Sequence, residues 1–332
     1  MIKFMDKAKV YFIKLDELNK IKNLLPGFTP PLGIKVHFGE EGNTTYLPAS
    51  YVKEIAGMVE NPVLVECNVL YKSPRSQAAT HKKLAKEHGF DFAEIDILDG
   101  ELGDDVDAIK IKGEFFKECF LGKGLAKYKS LLVVSHFKGH ISSGFGGAIK
   151  NLSMGLAGRR GKLALHAFVK HQVKQAKCVA CGVCIANCPV EAVAFDESGK
   201  AKINTDKCIS CSKCMSVCPT GAISIPWGEK DVSVFRKRLA EYALAGVSGR
   251  QCFYINFLIN ITEKCDCAGE KMGKMTDDIG ILASSDPVAI DQASFDLVVK
   301  QCKDFEKQNG DAQLEHGEKI GLGTREYELI NA

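Results

Sequence analysis

Residues 130–152 read SLLVVSHFKGHISSGFGGAIKNL. The opening run, Ser130–Val134, suits a strand at the centre of a sheet. A loop begins at Ser135, and a helix starts near Ala148 and runs toward Leu156. In open α/β sheets, ligands bind beyond the carboxyl ends of the strands, which is where this loop falls. Gly139, Gly144, Gly146 and Gly147 permit tight backbone angles and close approach. The amides ahead of Ala148 are placed to receive an anion. The loop is not a standard phosphate cradle, since it contains neither G-x-x-x-x-G-K-[ST] nor G-x-G-x-x-G. His136 and His140, with His166 and His171 further on, supply metal-ligand chemistry. Histidines four apart, however, bind a metal most readily on a helix, and this is a glycine loop. The competing reading is a loop whose histidines only satisfy backbone groups.

Outward from this stretch, strands and helices alternate. Strands are expected at Val10–Ile13, Gly33–Phe38, Pro62–Cys67, Phe92–Ile97 and Ile109–Ile111, with helices at Ala49–Met58 and Gln77–His88. After Trp227 the pattern resumes: a helix at Val232–Ala245, strands at Phe253–Ile261 and Ile279–Ala283, and a helix at Pro287–Cys302. The expected fold is therefore α/β, a mostly parallel sheet with helices on both faces. Residues 172–226 interrupt it with crowded cysteines. The chain reads as a discontinuous α/β domain (1–171 and 227–332) with an inserted α+β unit (172–226). The tail after Gly310 fits no element.

Net charge is +3, from 44 basic and 41 acidic residues. Such balance argues against nucleic-acid binding, which usually shows a basic stripe. Lys3, Asp6, Lys7 and Lys9 break any signal-type apolar start, and no uncharged apolar run is long enough to span a membrane. A cytoplasmic protein without membrane attachment is expected. Fourteen cysteines in a reducing compartment point to metal, cluster or redox work.

Eight of them form two runs, CVACGVCIANCP at 178–189 and CISCSKCMSVCP at 208–219, each C-x₂-C-x₂-C-x₃-C-P. The flanks repeat as well, AVAF at 192–195 matching AISI at 222–225. Three closely spaced thiolates can wrap one cubane, and the fourth is carried away to the cluster of the other half. Cluster one would take Cys178, Cys181, Cys184 and Cys218; cluster two would take Cys208, Cys211, Cys214 and Cys188. Zinc normally needs two C-x₂-C pairs per metal and does not explain the C-x₃-C-P element or the doubling. The segment resembles bacterial-type ferredoxins with two [4Fe–4S] clusters. That resemblance implies low-potential, single-electron transfer and sensitivity to oxygen. All eight cysteines are used, which favours electron transfer over chemistry at a cluster.

The stretch 135–158, with DIGILASSDPVAIDQASFDLV at 278–298, resembles the DUF362 family of iron–sulfur proteins through H-x₃-H, GG-x₂-KN and DPVA-x-D. In that family a ferredoxin-like unit is often joined to an α/β domain, and the family name implies no established activity. More distantly, the order histidine, Gly-Gly, lysine, histidine is similar to nickel-pincer lactate racemases. There a lysine holds a pyridinium-derived cofactor, and histidines serve the metal or act as bases. His140, Lys150 and His166 would correspond; the ferredoxin-like insert has no counterpart.

A second cysteine site is TEKCDCAG at 262–269. Cys265 and Cys267 project to one side if the chain is extended. With Asp266, and with Cys252 or a loop histidine, they make a metal group or a thiol pair. Cys67, Cys119, Cys252 and Cys302 read as incidental thiols. If the sheet is parallel there, His136, His140, Lys150, Cys265, Cys267 and Asp286 line one crevice for an additional metal or a small ligand. Asp286 also reads as a helix cap, and Asp291 as a surface or packing carboxylate. Two functions follow. One is an electron carrier, with the α/β body as a docking or ligand-binding platform and redox proteins as partners, possible as a homodimer. The other is a redox or metal-dependent enzyme whose crevice is wired by the clusters.

Overall fold

The structure is a computed structural model describing residues 7–71, 73–167, 171–188, 190–208, 213–224 and 232–332. Its first strands are β1 (Ala8–Ile13), β2 (Leu32–Lys35), β3 (Val63–Glu66), β4 (Glu94–Ile97), β5 (Val106–Lys110), β6 (Glu118–Gly122) and β7 (Ser130–His136). Beyond β7 come a short hairpin, β8 (Lys138–His140) and β9 (Gly144–Gly146), then four short strands. These are β10 (Gln172–Val173), β11 (Val193–Phe195), β12 (Ala201–Ile203) and β13 (Ile223–Ser224). The last are β14 (Gln251–Leu258), β15 (Gly280–Ser284) and β16 (Tyr327–Asn331). The helices are α1 (Ala49–Ala56), α2 (Ala78–Glu87), α3 (Ala148–Ser153), α4 (Arg159–His166), α5 (Val183–Ala186), α6 (Lys213–Ser216), α7 (Val232–Val247), α8 (Pro287–Gln301) and α9 (Asp311–Lys319). No helix among the described residues is long and apolar enough to cross a membrane.

One eight-stranded sheet runs in the order β16-β1-β15-β14-β7-β2-β3-β4. Five of its seven pairings are parallel and two antiparallel, so the sheet is mostly parallel. β7 lies between β14 and β2, parallel to both, and all seven of its residues are buried. Successive side chains leave a strand on opposite faces. Leu131 and Val133 accordingly join a core with Leu152 of α3, Leu239 of α7 and Ile290 of α8. Leu132 and Val134 join a second core with Val52 and Ile55 of α1 and Ala85 of α2. Each such side chain contributes roughly 1.5–3 kcal/mol by leaving water, and the two cores put helices on both faces.

Four expectations need correction. The strand expected at Ile109–Ile111 belongs to β5, which pairs with β6 in a separate two-stranded ribbon. β7 runs two residues past Val134, so His136 ends a strand rather than opening a loop. β15 runs antiparallel to both β14 and β1. A parallel return needs a crossover, usually a helix, and no helix lies between β14 and β15. The tail after Gly310 forms α9 and then edge strand β16, parallel to β1.

Residues 172–224 stand apart from the sheet. β10 pairs with β13 and β11 with β12, both antiparallel. Their small core comprises Cys184, Val193, Ala201, Cys214 and Ile223. α6 packs against α5 of this segment and against α4 of the main body.

Two carboxylates fix the helix starts. Asp286 caps α8, accepting from the amides of Val288 at 2.8 Å and Ala289 at 2.9 Å. Asp291 is fully buried, not a surface group, and its oxygens accept from Ala148 N at 2.7 Å and Ile149 N at 2.9 Å. The amides expected to receive an external anion are thus taken by an internal one. A side chain at Gly147 would meet Asp291 Oδ1 at 2.2 Å, which is why glycine precedes α3. Asp291→Ala should cost about 3 kcal/mol, because two buried amides lose their acceptor. Asp286→Ala should cost about 1 kcal/mol, as a lost cap. Urea unfolding of both variants checks the difference; equal losses would contradict the assignment.

Candidate functional site

Lys35, Glu66 and His136 end β2, β3 and β7. Because these strands are parallel, the three ends share one edge, and a cavity of about 300 Å³ opens there. α3 supplies its next wall. Lys150 reaches Cys265 Sγ at 3.1 Å. Asn151 accepts from Lys35 Nζ at 2.7 Å and donates to Val134 O at 3.1 Å and Ser135 Oγ at 3.0 Å. The hairpin β8–β9 closes the side. Its Gly139 N–H donates to Thr262 O at 2.8 Å, and a Cβ there would stand 2.3 Å from Glu263 O. Glycine therefore lets the hairpin press onto the TEKCDC loop and brings His140 beside Cys265.

His140, Cys265 and Cys267 each place a ligand atom within 4.8 Å of the others, a group able to hold a metal ion. The chain at the two cysteines is not extended. Ala268 N donates to Cys265 O at 2.9 Å, closing a turn, and the turn brings the thiols together. The Cys267 thiol donates to Cys265, and with Lys150, Lys138 and His140 nearby it holds Cys265 well below the ordinary thiol value despite burial. Cys267 is pushed up in turn by that same hydrogen bond and by burial. Cys265 is thus the more acidic sulfur of the pair. His140 Nδ1 accepts from the amides of Ser142 at 3.1 Å and Ser143 at 3.0 Å. That leaves the proton of the neutral ring on Nε2. A cation taking the imidazole would have to displace either that proton or those amides.

His136 is committed elsewhere. Its Nδ1 faces Asp266 at 2.8 Å and its Nε2 faces Ile259 O at 2.7 Å, so neither nitrogen is open to a metal. Asp266 also pairs with Lys138 at 2.9 Å. Although burial pushes its carboxyl up, His136 and Lys138 hold it well below the carboxylate range. His166, the last residue of α4, lines the cavity and stacks on Phe235 with ring centroids 5.0 Å apart. His171 is buried outside the lining residues.

The floor of the cavity is an ionic network absent from the sequence-based expectations. Glu66 takes Lys35 Nζ at 2.7 Å and Arg75 at 3.1 Å, and all three side chains are buried. Arg75 also reaches His37 Nε2 at 3.0 Å and His81 Nε2 at 3.2 Å. Burial lowers Lys35 while Glu66 pulls it back up. The available signal was a charged residue at the end of each of two apolar runs, GIK and VLVE. Lys138, Lys162 and Tyr71 complete a wall rich in cations.

Asp286 does not line this cavity. The loop before α8 follows β15, which runs antiparallel, so it emerges at the opposite edge. Cys252, near the start of β14, is likewise far along the strand from the Cys265 loop. Cys67 does line the cavity, but burial pushes its thiol well up and its Sγ lies 3.3 Å from Leu156 O.

A second, smaller cavity lies in residues 172–224. It is lined by Cys178, Cys181, Cys184 and Cys218, with Val173, Ala201 and Ile223 around them. Backbone amides point at sulfur: Ala222 N to Cys218 at 3.3 Å, Ala201 N to Cys178 at 3.5 Å and Ala192 N to Cys188 at 3.1 Å. Burial pushes the Cys218 thiol up, but the Ile223 amide and Thr220 hold it below its ordinary value. Cys188 and Cys214 meet in the same small core, Cys208 is half-buried, and Cys211 lies outside the described residues.

Fold and site together define a mixed α/β protein with a cation-lined crevice at the carboxyl edge of its sheet and grouped cysteines that can bind metal. The model of a family described as "Domain of unknown function (DUF362)" matches residues 32–296, and the chain belongs to that family. No curated protein matches it. Among solved structures it is similar to the lactate racemase apoprotein from Thermoanaerobacterium thermosaccharolyticum, with 12% identity and a TM-score of 0.38. The match covers 83% of this chain and 50% of that one, so the chain spans about half the length of that structure.

Burial first, and then Lys150, hold His140 down at about 3 and His166 at about 4. Both values lie below the ordinary 6.5. The stability that these neutral rings contribute is therefore complete above pH about 6.5 and is lost as pH falls through 4 and 3. His166→Gln should flatten the fall in thermal midpoint between pH 6.5 and 4, followed by circular dichroism. An unchanged slope would refute the buried, neutral assignment.

Proposed function

We propose that this protein is a low-potential electron-transfer protein. In this reading residues 172–226 carry two [4Fe–4S] clusters, and the α/β body (1–171 and 227–332) binds a small ligand in its crevice. The observation that carries the reading is the cavity shared by Cys178, Cys181, Cys184 and Cys218. Three come from the first cysteine run and the fourth from the second, which is the crossing that paired cubanes require. Four thiols with apolar neighbours and inward amides fit such a group. Cys178, Cys181, Cys184 and Cys218 would hold one cluster, and Cys188, Cys208, Cys211 and Cys214 the other.

When bound, each cluster supplies reversible one-electron chemistry. The chain provides the rest. Ala201 N and Ala222 N stabilise charge on sulfur, and Val173 and Ile223 keep water from it. The natural partner is a redox protein that exchanges single electrons. A redox enzyme is the second reading, and one contact favours it. α6, which bears Cys214, packs against α4, whose His166 lines the crevice.

Anaerobic purification should give about eight irons and eight acid-labile sulfides per chain. Cys184→Ser and Cys218→Ser should each lose the same cluster, and Cys188→Ser the other, as read by iron content and electron paramagnetic resonance of the reduced protein. Zinc in place of iron, or loss of different clusters from Cys184→Ser and Cys218→Ser, would overturn the reading.

A further inference from the structure

We propose that Cys265 and Cys267 are a redox-active pair, cycling between a reduced pair of separate sulfurs and an intramolecular disulfide, and that this pair receives the electrons carried by the cysteine-rich segment. The source of the electrons rests on the proposed function; the pair itself does not.

The geometry is that of a dithiol more than of a metal site. The turn closed by Ala268 N and Cys265 O draws residues 265 and 267 together, and their sulfurs lie within 4.8 Å of each other. Sulfurs this close are within reach of the side-chain rotations that form a disulfide, which asks for neighbouring Cβ atoms. Asp266 between them is anchored to His136 and Lys138, so the turn has a fixed pivot while the sulfurs move. The third candidate ligand, His140, has its Nδ1 lone pair engaged by two amides. Lys150 sits 3.1 Å from Cys265 Sγ, where a cation matches a thiolate and competes with a metal ion. Cys265 is buried, whereas Cys267 borders both the crevice and an outer groove with Tyr71, Gln77 and Gly269. One sulfur is therefore shielded and the other faces the route in.

The balance is simple. The Cys265–Cys267 disulfide takes up two electrons and one proton; the S–S bond breaks, Cys265 leaves as the sulfur beside Lys150 with the negative charge, and Cys267 takes the proton. The electrons would come one at a time from a low-potential iron–sulfur carrier, which the cysteine-rich segment would supply through α6, packed on α4, whose His166 lines the crevice with Cys265. Oxidation runs by thiol–disulfide exchange with an external disulfide, oxidised dithiothreitol in the test below, which takes the two electrons, the Cys267 proton and one proton from solvent and leaves as its dithiol.

The test uses the full chain, purified anaerobically and equilibrated in buffers of oxidised and reduced dithiothreitol. After acid quenching and alkylation, peptide mass spectrometry should find a 265–267 disulfide that appears in one two-electron transition, with Cys119 alkylated only after unfolding. Cys267→Ser should abolish it. Lys150→Met should shift the midpoint by about tenfold toward the disulfide, because the thiolate loses its counter-charge. Reduction of the disulfide by dithionite with a viologen mediator should be at least about tenfold slower in Cys184→Ser, which lacks a cluster, than in the parent. No disulfide at any buffer ratio, or stoichiometric zinc lost in Cys265→Ser, overturns the pair. Equal reduction rates in parent and Cys184→Ser overturn its supply by the clusters. Iron content in the same samples separates the two proposals. Eight irons without a disulfide sinks only the pair; a disulfide without iron sinks only the cluster reading.

Discussion

A carboxylate cut off from water needs donors on every side, and Asp291 finds them on two separate elements. It accepts from the first two amides of α3 and from Asn256 Nδ2 of β14 at 2.8 Å, while belonging to α8. Those bonds tie a helix start, a central strand and a second helix into one joint. Burial still pushes its carboxyl up to about 6, so the joint is held at a cost in solvation. The joint sets the direction of α3. That direction sends Lys150 toward the Cys265 turn and Asn151 toward Lys35, on the crevice side of the sheet. Gly147 is small because the carboxylate needs its space. The chemistry of the crevice is thus positioned by a group outside it.

Inside the crevice the same rule works on a larger scale. Buried ions are tolerated when each has a partner of opposite charge and further hydrogen bonds. Glu66 balances Lys35 and Arg75, Asp266 balances Lys138 while accepting from His136, and the acidic Cys265 sulfur faces Lys150. Removing any one anion leaves a cation in a wall that already contains several, so the pairs depend on one another. Of the three acidic groups, only the sulfur can lose its charge by forming a covalent bond to a neighbour. Electrostatic balance in this wall would then follow the redox state proposed for that sulfur.

The α/β alternation and the central place of β7 are legible in the sequence because apolar runs and their period report burial directly. The cysteine spacing is equally plain, since it encodes a local geometry. Strand direction is not written that way. Nothing in ILAS distinguishes a strand running with its neighbours from one running against them, and the misplacement of Asp286 follows from that alone. The signal was indirect: 21 residues of loop, from 259 to 279, with no helical pattern to make a crossover. Gly139 and Gly147 are visible as glycines, but what each makes room for lies more than a hundred residues away. Lys35 and Glu66 are visible as charges in apolar strands, yet their pairing depends on the register of β2 with β3.

α4 is the element through which the two halves of the molecule meet. It starts at Arg159, tied by its amide to Gly103 O at 2.7 Å, and it is held along its length by Arg238, which donates to Ala164 O at 3.1 Å. One of its faces packs against α6 of the cysteine-rich segment, and its last residue, His166, lies in the crevice wall against Phe235. A helix fixed at both ends moves as a unit. The contact with α6 and the side chain in the crevice wall thus sit on one helix of eight residues. Packing of the cysteine-rich segment on a helix whose last residue stands in the crevice wall is what joins the two sites in the fold.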